Sequence, residues 1–264
     1  MKTIKIIGLS IALSLSAVSP AAAQEKTPAI QGILDAGAQM SNVRLMLEVY
    51  ALTGLGIHYS NPKEILKRSI NSYEKTLKTF ETTFKNPAIQ DSAKKSYAAW
   101  TPVKKVLETI IAGGGAPNEM KKGGLFVHNH IRAIIKGMSS IKKVLLAQSK
   151  IKNIKALNAA IEIGASARRL SSHFMMRMWK LDDPTIEKHW NNGVKIYGDS
   201  LALLKKSPFA SDPEMQKLLK ESEKDYQYFK MKWGMGTSGG TLIHKKAEKI
   251  YIDSQKMEKI ILSK

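Results

Sequence analysis

Ile33-Leu34-Asp35-Ala36-Gly37-Ala38 returns 127 residues later as Ala160-Ile161-Glu162-Ile163-Gly164-Ala165. In both places a Gly-Ala pair sits in an apolar run that continues at helical spacing for about twenty residues. The same order of landmarks follows each copy. A Pro-marked break comes next, at Asn61-Pro62 or Asp183-Pro184. An amphipathic stretch then ends at Asn86-Pro87 or Ser207-Pro208. A Trp follows, at 100 or 233, then a Gly-rich loop at Gly113–Gly115 or Gly234-Met235-Gly236. A last helix begins near Gly123-Gly124 or Gly239-Gly240. The spacing between copies drifts, to 133 at the Trp pair and 116 at the Gly-Gly pair. Drift confined to loops is what a duplicated unit with insertions shows.

The period decides the fold class. Apolar residues recur at three and four, as in Ile131, Ile134, Ile135, Met138, Ile141 and Leu145. The pattern predicts helices over about 28–58, 62–86, 88–112 and 124–148, then 152–181, 184–206, 212–233 and 240–262. Short connections make neighbouring helices antiparallel. The expectation is an all-α protein of two tandem up-and-down four-helix bundles, 24–149 and 150–264. No Pro lies between Leu125 and Lys180. The fourth and fifth helices therefore either run through as one long rod or break near 149–153.

Composition agrees and narrows the chemistry. The 264 residues include 42 Lys and Arg against 22 Asp and Glu, a net charge of +20. The absence of cysteine removes disulfide scaffolds, iron–sulfur clusters, thiolate zinc sites and cysteine nucleophiles. Residues 1–23 read as a signal peptide: Lys2 and Lys5, an apolar run from Ile6 to Val18, then Ala21-Ala22-Ala23 as a cleavage site. No later stretch is long and apolar enough to span a membrane. The remaining chain, 24–264, is expected in a bacterial periplasm.

Several residues stand out against this background. Arg is scarce, six of the 42 basic residues, and four lie on the first helix of a copy: Arg44, Arg168, Arg169 and Arg177. Arg44 and Arg168 fall close to the Gly face of their helices. If that face is interior, each needs an anion or a carboxylate, because an unpaired buried charge is costly. Arg's planar fork suits oxyanions. The plainer reading of Arg44 is a surface pair with Glu48 four residues on, worth ~0.3–0.5 kcal/mol. Arg168 and Arg169 have no acid within reach on their own helix after Glu162. Residues 120–161 carry nine Lys or Arg and no acid. That stretch is either a solvated basic face or a surface for anionic ligands, acidic polysaccharide or lipid head groups. His173-Phe174-Met175-Met176-Arg177-Met178 mixes soft metal ligands with core filler, so a soft-metal carrier is a third, weaker reading. His128 and His130 point apart on a helix and cannot share an ion. No nucleophile, phosphate-loop, zinc-protease or dinucleotide motif occurs. The expectation is therefore no enzyme, no cofactor and no nucleic-acid partner.

Ala36-Gly37-Ala38-Gln39, followed by Val49-Tyr50-Ala51-Leu52-Thr53-Gly54-Leu55-Gly56, resembles the periplasmic sensor domains of type IV pilus chemotaxis transducers and nitrate/nitrite sensor kinases (PilJ/NarX type). Arg169-Leu170-Ser171-Ser172 in the second copy is similar to that family's Arg-Met-x-Ser box. The resemblance spans nearly all of 24–264. It implies four-helix bundles, a small anion such as nitrate or nitrite, and an Arg that binds it at a dimer interface, hence a homodimer. Counting three on from Gly37 reaches Met40, and from Gly164 Ala167, so the arginine candidates are displaced to Arg44, Arg168 and Arg169. With Met40 and Ser172 these are the candidate ligand-binding residues. The family's membrane span and output module have no counterpart here, so a membrane-bound receptor or signalling partner is implied. The main rival is an interaction module that binds an anionic envelope polymer or a receptor through the basic surface.

Overall fold

The computed structural model describes residues 27–57, 60–234 and 239–264. The signal segment 1–23, His58 and the loop at Met235-Gly236 lie outside them. Eight α-helices fill the described chain: α1 Pro28–Gly54, α2 Pro62–Thr83, α3 Pro87–Ala112, α4 Pro117–Gln148, α5 Ile154–Met178, α6 Thr185–Lys205, α7 Pro213–Gly234 and α8 Gly240–Leu262. One 3-10 turn, Pro208–Ser211, precedes α7. The fold is all-α, and no strand occurs among the described residues.

The first three starts share one device. Thr27, Asn61 and Asn86 each accept a hydrogen bond from a backbone N–H of the first turn, and a Pro follows each. The cap supplies an acceptor to a free N–H, and Pro occupies a position where an N–H would have no partner. The Asn-Pro breaks in the sequence are thus helix starts.

The helices form two rings. In one, α1 packs on α2, α2 on α3, α3 on α4 and α4 back on α1. In the other, α5, α6, α7 and α8 do the same. The rings are not beads on a rod. The chain breaks between α4 and α5, where the Ser149 hydroxyl accepts from the Ile151 N–H and Ile151 is buried. The break lets α5 fold back, and α1 and α5 pack on each other. Successive contacts climb both helices together: Gly37 with Ile161, Arg44 with Ala165, Glu48 with Ser171 and Gly54 with Trp179. The two helices are therefore parallel. They are also central. α1 buries 17 of its 27 residues and α5 18 of 25, whereas α2 buries 6 of 22. One hydrophobic cluster contains side chains from all eight helices.

The repeated Gly-Ala pair now has a packing cause. A Cβ on Gly37 would lie 2.4 Å from Ile161 Cγ2, and one on Gly164 2.3 Å from Ser254 Oγ. Each glycine lets another helix approach, α5 in the first case and α8 in the second.

Two expected boundaries shift. α1 ends at Gly54, short of 58, and α4 begins at Pro117 and not at the Gly123-Gly124 pair. Those glycines lie inside α4 because Tyr50 and the Trp179 ring press against them. In the second copy α8 does begin at its Gly pair, where Gly239 takes a left-handed conformation. Trp100 lies in the middle of α3, whereas Trp233 ends α7, so the two tryptophans are not at matching heights. The Trp179 ring is enclosed by Tyr50, Gly54 and Gly124, and a Cβ on Gly54 would sit 2.0 Å from it. Overpacking of this kind costs about 1–3 kcal/mol, more than the helix propensity gained at a terminal residue. Gly54→Ala is expected to lower the melting temperature by several degrees; an unchanged melt would mean that Trp179 does not close this end of α1.

Candidate functional site

The α1–α5 seam buries four ionisable side chains and sorts them to opposite sides. On one side Glu48, wholly buried, accepts from Ser171 Oγ and from His244 Nδ1 at 2.7 Å. Arg168 Nη1 stands 3.6 Å from the other oxygen, Glu48 Oε2, an ion pair without a hydrogen bond. The Arg168 guanidinium also lies over the Tyr251 ring at 5.8 Å. Three helices, α1, α5 and α8, are tied by this one carboxylate.

The surface Arg44–Glu48 pair does not form. Glu48 is taken by α5 and α8. Arg44, only 3% exposed, instead donates from Nη1 to the Ala165 carbonyl at 2.9 Å. Helical spacing puts the two within reach of one another; the neighbouring helices offered each a buried partner.

On the other side of the seam lies a cleft of about 730 Å3, open to solvent between α1, α4, α5 and α6. Met40, Arg44, Arg169 and Ser172 line it, four of the five candidate residues; Arg168 does not. The α4 wall adds His128, Arg132, Lys136 and Lys143. Residues four apart on a helix stack on one face, so His128, Arg132 and Lys136 form a line along the wall. His173 and His189 close one end, from α5 and α6.

The electrostatics are one-sided. Five cations line the cleft against a single carboxylate, Glu162. That carboxylate is already bound by Lys142. Burial works to raise the Glu162 carboxyl, but Lys142 outweighs it and holds the group below its ordinary value. Burial pushes the Arg44 guanidinium down, and the like charge of Arg169 adds to the effect. Arg169 is also pushed down by burial, with Glu162 as the opposing influence. Arg169 Nη1 is buried without a hydrogen-bond partner. A buried guanidinium N–H left unpaired costs free energy that an entering acceptor would recover.

The three histidines form a triangle. Ring centroids are 5.4 Å apart for His128–His173, 5.9 Å for His128–His189 and 5.5 Å for His173–His189. His173 Nδ1 donates to the Arg169 carbonyl at 2.6 Å. His128 Nε2 lies 3.5 Å from Asp183 Oδ2 and 3.3 Å from the Thr185 hydroxyl. His128 Nδ1 and His189 Nε2 are buried without partners. Among the described residues no group of three or more histidines and acids has the geometry to hold a metal ion. His130 points away and stacks on Phe126 at the surface.

The Met string serves packing. Met175 and Met176 are fully buried, and the sulfurs of Met175 and Met178 both lie against Gly240 at the start of α8. His173 leaves that string for the histidine triangle.

Arg132, Lys136 and His189 line the cleft with Arg169, and none of them stands out in the sequence as a candidate. They come from two other helices, and no spacing along the chain announces them. The Arg-poor composition was the usable signal for Arg132, a lone arginine in a lysine-rich, acid-free stretch.

No protein-family model, no curated protein and no solved structure matches the chain. Among the described residues no helix is long and apolar enough to cross a membrane.

Proposed function

We propose that the protein binds a small oxyanion in the cleft between α1, α4, α5 and α6, as a non-enzymatic binding or sensing protein. The observation that carries the reading is Arg169: a half-buried guanidinium whose Nη1 is buried without a hydrogen-bond partner, one of five cations lining a cleft whose single carboxylate is already paired. Arg44, Arg132 and Lys136 complete the positive wall, and Ser172 Oγ, which donates to the Arg169 carbonyl, helps hold that turn of α5. The resemblance to PilJ/NarX-type sensors makes nitrate and nitrite the first anions to test. In this reading residues 1–23 direct export to the periplasm, the helical rings descend from one duplicated unit, and a separate partner relays the signal. The rival reading, an envelope polymer on the basic surface, draws on the acid-free run 120–161.

A thermal-shift screen of residues 24–264 against nitrate, nitrite, sulfate, phosphate, acidic sugars and Cu(I) tests this. An anion at ~100 times its dissociation constant adds about 2.7 kcal/mol. That is expected to raise the melting temperature by roughly 5–10 °C for a chain of this size. No shift with any small anion, together with salt-sensitive capture by an acidic polysaccharide, would reverse the order of the two readings.

A further inference from the structure

The histidine triangle has no role in the cleft as a set of neutral rings. Three imidazoles from three helices meet at its end, each pair within 6 Å, and two of their nitrogens are buried without partners. Their surroundings are mostly positive. Arg132 stands on α4 beside His128 and His189, and Arg169 on α5 beside His173 and His189. Arg44 is the charged group that α1 adds to the cleft lining. The one acid facing the cluster is Asp183, just before α6; it pairs with His128 and its charge also acts on His189, favouring a proton there against the repulsion of the arginines. A cation added to this arrangement meets repulsion from Arg132 and Arg169. An anion bound at Arg169 cancels it.

We propose that the cluster is the proton-binding half of the ligand site, so that the cleft takes up its anion together with one proton, held on His189. This rests on the anion-binding reading above. His189 is chosen because it is the most accessible of the three, half-buried where His128 and His173 are buried. Its Nε2 is free to hold a proton, whereas His173 already spends Nδ1 on the Arg169 carbonyl. A protonated His189 would donate to the anion and make its charge-assisted bond, while the anion offsets the like charges of Arg132 and Arg169.

In the protein by itself burial pushes all three histidines down, His189 to about 4, with Arg132 adding to its shift. The rings are therefore neutral at pH 7. An opposite charge within about 4–6 Å raises such a group by about 1–3 units. Between the free and bound values the complex holds a proton that the free protein lacks, so affinity rises as pH falls. For a rise of about 2 units, affinity for the anion tightens roughly tenfold between pH 7 and pH 5.

The test is calorimetric titration of residues 24–264 with sulfate and with nitrate, neither of which titrates in this range. It is run between pH 5 and 7.5 in buffers of different ionisation enthalpy. Expected are uptake approaching one proton per anion near pH 5 and a tenfold tightening from pH 7. His189→Gln is expected to lose both the proton uptake and the pH slope of affinity. Binding with no proton uptake, or uptake unchanged in His189→Gln, overturns the inference and leaves the anion site standing. Absence of binding by either anion at any pH overturns both. Histidine resonances of the unaltered protein provide a readout independent of the variant's folding. Titration of His189 at least one unit higher with sulfate present supports the inference, and titration at the same pH refutes it.

Discussion

Glu48→Ala is expected to cause the largest loss of stability of any single substitution in the seam, a fall in melting temperature on the order of 10 °C. The carboxylate is wholly inaccessible and is the shared partner of Ser171, His244 and Arg168. Its removal leaves the Arg168 guanidinium buried without its Glu48 carboxylate. Breaking a buried pair from one side typically costs about 3–5 kcal/mol, far more than the pair itself contributes over an apolar substitute. Each kcal/mol corresponds to roughly 2–4 °C in a chain of this length. The double substitution Glu48→Leu with Arg168→Met separates the two quantities. It removes both charges and keeps the volume, so it is expected to recover most of the loss. If the double variant melts as low as Glu48→Ala, the cost lies in the shape of the seam and not in an orphaned charge. The measurement is a pair of thermal or urea unfolding curves, since Glu48 and Arg168 touch and their effects will not add.

The second large effect concerns binding. Arg169→Ala is expected to weaken the oxyanion that gives the greatest thermal shift by roughly 10- to 100-fold, the range for losing hydrogen bonds to a charged partner. Arg169→Lys keeps the charge and loses the fork. If a planar anion is held by two parallel N–H donors, it should recover only a fraction of the affinity. Arg168→Met is the contrasting variant. It should lower the melting temperature through Glu48 and leave the anion's dissociation constant within about twofold, because Arg168 does not line the cleft. Equal loss of binding in both variants would sink the proposed cleft and return the site to the whole arginine-bearing face of α5. Isothermal titration at fixed ionic strength is the measurement, since a cleft with five cations will also respond to salt.

The two effects arise from neighbouring residues on one helix, Arg168 and Arg169. Adjacent side chains on a helix point about 100° apart. Here that angle separates a structural ion pair toward α8 from a solvent-reaching guanidinium toward α4 and α6. The same angle explains why Ser171 meets Glu48 while Ser172 lines the cleft.

Much of the fold was legible because it is written in short-range terms. A period of three to four residues, Asn-Pro breaks and Gly-rich loops act within a few residues of chain, and they specify helices whatever packs on them. Eight helices in two sets of four, an all-α class and the concentration of the few arginines on the first helices followed from the chain alone. So did the recurrence of the Gly-Ala pairs, although not their partners. The seam was not legible. That α1 and α5 pack in parallel, that the chain breaks at 149–153, and that Glu48 joins Arg168 and His244 across 120 and 196 residues of sequence depend on which faces bury most apolar surface together. The same holds for the cleft. Arg44, Arg132 and Arg169 come from three helices, and the histidine triangle from α4, α5 and α6. A helix repeats its chemistry every turn and advertises several faces equally. Only close packing, by taking some faces into the core and leaving others at a cleft, decided which charges were neutralised in the seam and which were left facing a ligand.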